Sequence, residues 1–204
     1  MSYNFPFGMP LKKVEQKDKS PKKVFVLGVY ASAVHARWIG SDKKTKVRAL
    51  AVASEPYIFW KGDGADKIIS EIKIPSEVGK LISAGEHFNG PSGKALDELF
   101  LEPLGFSRDD AWLSDLLPYS RINSNQKEAL KNHYKSDLIS KYNLPNYTIP
   151  AFTNKELNNN SRRNEILDEL KKSQAEKIIF LGDLPIKHFL SYYIKEDYQK
   201  LSDF

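Results

Sequence analysis

The chain has no cysteine among its 204 residues. Disulfides, zinc–thiolate sites and cysteine-ligated iron–sulfur clusters are therefore excluded. No apolar run reaches membrane-spanning length, and no signal-peptide core follows Met1, so a soluble, cytoplasmic protein without a membrane partner is expected. The phosphate-loop, His-Glu-x-x-His and Gly-x-Ser-x-Gly patterns are absent. His87, His133 and His188 lack metal-ligand spacing, so neither a metal nor a cofactor is expected. There is no internal repeat. Nor does one sign of charge dominate: 31 Lys and Arg face 26 Asp and Glu, for a formal +5. That surplus permits a nucleic-acid surface and equally fits simple solubility.

What is present suits one globular α/β domain, with 41% hydrophobic residues and ordinary chain length. Residues 1–22 read as a lysine-rich arm, solvated and partly packed; residues 23–204 read as a single domain, expected to be a monomer. Val24-Phe25-Val26-Leu27-Gly28 and Ile178-Ile179-Phe180-Leu181-Gly182 are continuous apolar runs ending in glycine, suited to parallel strands buried on both faces. Strands near 24–28, 47–53, 111–116 and 177–181 predict a three-layer α/β/α sandwich with a short, mainly parallel central sheet. Residues 29–35 read as a turn, Asp66 as a cap, and residues 74–86 as irregular or a short helix. Ser124 is expected to cap one helix running to about Tyr142, and Thr153 with Glu156 to form a capping box on the next. The rings of Tyr57, Phe59 and Trp60 suit core filling or base stacking.

The stretch Phe88–Asn123 organises the rest. Asn89-Gly90-Pro91-Ser92-Gly93 is a strong turn signal. Leu96, Leu99, Phe100 and Leu104 then recur at helical spacing, and Gly105 fits the C-terminal cap. Trp112, Leu113, Leu116 and Leu117 form a short strand that Pro118 stops, with Asp115, Tyr119, Ser120, Arg121 and Asn123 at its carboxyl end. Ligands of α/β proteins bind beyond such ends.

This order of elements resembles the uracil-DNA glycosylase superfamily, closest to its iron–sulfur branch. Phe88-Asn89-Gly90-Pro91-Ser92-Gly93 stands where that family has Phe-x-Gly-x-x-Gly, Ala95–Leu99 matches its helix, and Leu104–Asp110 matches its Leu-Gly-Leu-x-Arg-x-Asp turn. Pro150–Glu156 and Ile178–Gly182 follow its later pattern, so the likeness spans Val24 to Leu190. The branch's cysteines have no counterparts. No acid follows Gly28, where Val29, Tyr30 and Ala31 stand, and the family's late His-Pro-Ser does not occur before Phe204. Either the chain is truncated or the lineage has lost that motif.

The resemblance implies a protein that acts on DNA or holds a nucleobase or nucleotide. One expectation is N-glycosidic cleavage of a damaged or modified base, as in base excision repair; the other is an inactive binding module of the same fold. Phe88 would stack on the flipped base, with Asn89, Gly90 and Ser92 close to it. Tyr30, Ser32 and His35 are further pocket candidates, and each could equally be a hydrogen-bonded loop residue. Asp115 stands where the family reads the base edge with Asn; an ionised Asp only accepts, which suits an exocyclic amine. Asp115 and His35 are the candidate catalytic groups, with a turn-capping role the alternative for Asp115. Tyr119, Arg121 and Asn123 are candidate nucleic-acid contacts, joined by the Lys22–Lys23 pair.

Overall fold

A computed structural model describes residues 3–194, 198 and 200–203. The strands are β1 (Val24–Tyr30), β2 (Ala33–Ile39), β3 (Thr45–Ser54), β4 (Lys80–Ser83), β5 (Ala111–Leu117) and β6 (Lys177–Phe180). The main helices are α1 (Ala65–Ser70), α2 (Pro91–Leu96), α3 (Ser124–His133), α4 (Ser136–Tyr142) and α5 (Asn160–Ser173). α2 runs on through a π turn (Asp97–Leu101) and a 3-10 turn (Glu102–Leu104), and Gly105 closes it at φ +74°. A last helical run, α6, joins Asp183–Pro185, Ile186–Leu190 and Ser191–Tyr193. Among the described residues no helix is long and apolar enough to cross a membrane.

The strands form two sheets, giving a mixed α/β fold. One is parallel, in the order β5-β1-β6, and the runs ending at Gly28 and Gly182 are neighbours in it. Alternation explains why both of its faces are covered. Val24, Val26, Ala111 and Leu113 face Leu96 and Leu101 of the α2 run, while Phe25, Leu27 and Trp112 face Ile166 of α5 and Phe189 of α6.

The second sheet is antiparallel, in the order β3-β2-β4. Here the structure corrects the expected architecture: residues 47–53 are a strand, but of this sheet and not of the parallel one. The expected turn at 29–35 is also displaced. β1 continues to Tyr30 and β2 starts at Ala33, leaving Ala31 and Ser32 as the connection. Residues 80–83 of the segment read as irregular form β4. Gly64 stands at the N-cap of α1, with Asp66 inside its first turn. Phe5 and Phe7 are buried in the core of this half, and the Phe7 ring meets Trp38 and Tyr134 edge-on at 5.4 and 5.0 Å.

Residues 12–23 cover the outer edge of β5. The Gln16 amide donates to Ala111 O and its carbonyl accepts from Leu113 N, at 3.5 and 3.4 Å, and Val14 N donates to Pro118 O. The expected long helix after Ser124 breaks at Tyr134 into α3 and α4, and Asn123, not Ser124, caps it by accepting from Gln126 N. The Thr153–Glu156 capping box does not form. Asn159 caps α5 instead, and Glu156 pairs with Arg121.

Candidate functional site at the carboxyl edge of the parallel sheet

All three parallel strands deliver residues to one cavity of about 480 Å³: Gly28 and Tyr30 from β1, Asp115 from β5, and Leu181 and Gly182 just beyond β6. The β3–α1 loop adds Glu55, Phe59 and Trp60, and the α2 run adds Gly90, Ser92, Ala95, Leu96 and Phe100. The lining is mostly apolar and includes Gly28, Gly90 and Gly182.

Close approach explains the glycines. A Cβ on Gly28 would collide with Asp115 Oδ1 and lie 2.6 Å from the Phe59 ring. A Cβ on Gly93 would strike the Phe59 and Trp60 carbonyl oxygens, so the α2 run seats its backbone directly on that loop. Arg108 locks the junction. Its Nη2 donates to Phe59 O and Gly93 O at 2.7 and 2.8 Å, while its Nε donates to Asp97 Oδ1 at 2.6 Å.

Two carboxyl groups are buried in this setting. Asp115 is 3% exposed, and among the described residues no group donates to its side chain. Burial raises its pKa well above the usual carboxylate range, and the nearby charge of Glu55 pushes the same way. Glu55 is 4% exposed and accepts one backbone N–H on each oxygen, from Ser32 at 3.1 Å and Trp60 at 3.3 Å. Burial pushes its pKa up to about 7, against the lowering effect of those two hydrogen bonds and of Arg108. Burial thus favours the neutral form of Asp115, which both donates and accepts, while Glu55 can take or give a proton near neutral pH. Among the described residues no backbone N–H donates to Asp115, so no capping bond is seen there.

No family model, curated protein or solved structure matches this chain. The site is therefore read from its own chemistry.

The expected site residues divide cleanly by position. Tyr30, Ser32, Gly90, Ser92 and Asp115 line the cavity. Phe88 does not: it lies outside the lining on the preceding turn and is 44% exposed. The rings in the wall are Phe59 and Phe100. Asn89 is also outside, because its amide is consumed as a clamp between sheet and turn. It accepts from His35 N at 2.7 Å and donates to His35 O at 2.9 Å and Ser83 Oγ at 3.2 Å. His35 sits on β2 outside the cavity lining; burial lowers its pKa, and among the described residues its Nδ1 has no hydrogen-bond partner.

Tyr119 and Arg121 line a different, polar cavity of about 490 Å³. There Arg121 pairs with Glu156 at 3.0 Å. Asn123 caps α3. Lys22 pairs with Asp18, and Lys23 with Asp110 at 2.8 Å. These cations already have partners. Glu55 and Arg108 are the site residues that sequence reasoning missed. The signal for Glu55 was an acid placed directly after the apolar run of β3, at a strand end.

Proposed function

We propose that this chain is a uracil-DNA glycosylase-like domain that holds a nucleobase in the cavity and hydrolyses its N-glycosidic bond. Its parallel sheet, covered by helices on both faces, would be the core of that family's α/β/α sandwich. The observation that carries the reading is the burial of Glu55 and Asp115 together at the carboxyl edge of the parallel sheet. The acid expected after Gly28 is absent, and Glu55 offers one from the loop that follows β3.

Glycosidic hydrolysis needs a base to orient water and a donor for the departing ring. Glu55 would accept a proton from water as its oxygen attacks the sugar carbon. The C–N bond breaks with its electrons on the base, and the Asp115 carboxylic acid protonates that base. A neutral Asp115 both donates and accepts, which matches the amide edge of uracil, hypoxanthine or xanthine. An exocyclic amine would suit the ionised form. Phe59 would supply the stacking face. The substrate would be DNA with the base swung out.

The test is an excision assay on DNA carrying uracil, hypoxanthine or xanthine. Glu55→Gln and Asp115→Ala should each lower the rate by about 10²–10⁴-fold. Full activity in both variants would sink the mechanism. A second reading, base binding without cleavage, is favoured by the Ala31–Ser32 connection: Ala31 N is tied to Leu117 O and Ser32 N to Glu55, and no acid is present. Under it, no lesion is excised, yet Phe59→Ala abolishes nucleobase binding.

A further inference from the structure

Glu55 occupies an unusual boundary. Besides the cavity, it lines a groove of about 650 Å³ beneath residues 9–19, walled also by Ser54, Pro56, Ile68 and Glu71. No other described residue lines both hollows. Each of its carboxyl oxygens accepts one backbone N–H, from Ser32 and from Trp60, and among the described residues takes no second donor.

We propose that Glu55 is the proton outlet of the cavity, exchanging protons with solvent through this rear groove while a bound base closes the front. The proposal rests on the hydrolytic reading above for its purpose, though not for its test. In one turnover Glu55 gains the proton that water loses. Its carboxylic acid then passes that proton to water in the groove. Asp115, having given its own proton to the departing base, regains one from solvent when the base leaves. The sum is hydrolysis, with nothing oxidised or reduced.

The charges around Glu55 suit an outlet. Asp115 faces it across the cavity and Arg108 acts on it from the α2–β5 junction. Along the groove, Lys12, Lys13, Lys17 and Lys19 outweigh Glu15 and Glu71. That surplus favours the carboxylate after each transfer and concentrates small buffer anions. A pKa near 7 lets the group move in either direction at neutral pH.

The experiment is a pH-jump infrared measurement on ligand-free protein. The Glu55 carboxyl band is identified by its loss in Glu55→Gln. Ser92→Trp obstructs the front cavity; Ile68→Trp obstructs the groove, and Lys12→Trp does so from an exposed position if Ile68→Trp fails to fold. Protonation of Glu55 should keep its rate in Ser92→Trp, where the front is closed, and slow by about tenfold or more when a groove variant is combined with Ser92→Trp. A rate lost in Ser92→Trp alone, or unchanged in the double variant, would overturn the outlet. Because no turnover is needed, this result stands even if every lesion in the excision assay is refused, which would defeat the hydrolytic reading instead.

Discussion

Gly28 is where one methyl group would do most damage. Gly28→Ala drives a carbon against Asp115 Oδ1 and the Phe59 ring, so ring and carboxyl must both shift. Overpacking of this kind costs about 1–3 kcal/mol, and the variant should melt several degrees lower while losing nucleobase binding in a titration. The two carboxyls predict a pH dependence of stability. Glu55 rises from an ordinary value near 4.5 to about 7, so the folded state binds the extra proton. Its favourable contribution is complete at low pH and is lost as pH rises between about 4.5 and 7, by up to about 3 kcal/mol. Asp115 acts in the same direction. Thermal melts should therefore fall as pH rises through that window, and Glu55→Gln should flatten the slope; an unchanged slope would contradict the burial effect. The slope is the quantity to read, since Gln turns one acceptor into an NH₂ group facing a backbone N–H. Asp115, Tyr30, Ser32, Gly90 and Ser92 were legible because strand ends and glycine turns mark a cavity rim. Glu55 was not, since an acid among the rings of Tyr57, Phe59 and Trp60 has no periodicity to expose it. Phe88 misled for a related reason: composition cannot say which of two aromatic loops turns inward, and Phe59 does so at φ +51°.

Among elements, the α2 run separates periodicity from burial. Leu96, Leu99, Phe100 and Leu104 read as one buried stripe, yet Leu99 is 67% and Leu104 58% exposed, while Leu96 and Leu101 are 1% exposed. The π turn at Asp97–Leu101 rotates the later residues off the helical face. Leu101→Ala should cost about 2–5 kcal/mol in chemical denaturation, whereas Leu99→Glu should stay within about 0.5 kcal/mol. Asn89 tests the seam between sheet and turn. Asn89→Ala leaves the backbone N–H of His35 without its partner, while His35 O keeps the bond from Ala84 N at 3.1 Å; the orphaned donor costs about 1–3 kcal/mol. β1 was readable because a strand buried on both faces is apolar throughout; β6 carries the same apolar run, yet it is an edge strand with Lys177 and Ile178 exposed and Ile179 and Phe180 half-buried. β2 was not readable: its register shifts at Val34/His35 and Ala36/Trp38 break the two-residue alternation. In β4, Lys80 and Ile82 are exposed and Leu81 and Ser83 half-buried, so no apolar face marks it in the sequence.

For the whole molecule, charge placement matters more than net charge. Arg121, Lys22 and Lys23 are paired with Glu156, Asp18 and Asp110, so Lys22→Ala should leave DNA affinity and its salt slope nearly unchanged; a slope reduced by about 0.9 would mean that the lysine contacts a phosphate. The parallel sheet, meanwhile, treats its two edges differently. Beside β5 the N-terminal segment supplies Gln16 as an imitation of a neighbouring strand, whereas at β6 the outer residues Lys177 and Ile178 are exposed. A protease cut between Lys17 and Lys19 would loosen that cover and leave two open edges on one sheet. Chains nicked there could stack strand to strand without limit, so light scattering after brief trypsin treatment should rise where intact protein stays clear. The segment that reads in the sequence as a solvated arm is, on this view, a guard on an open sheet edge.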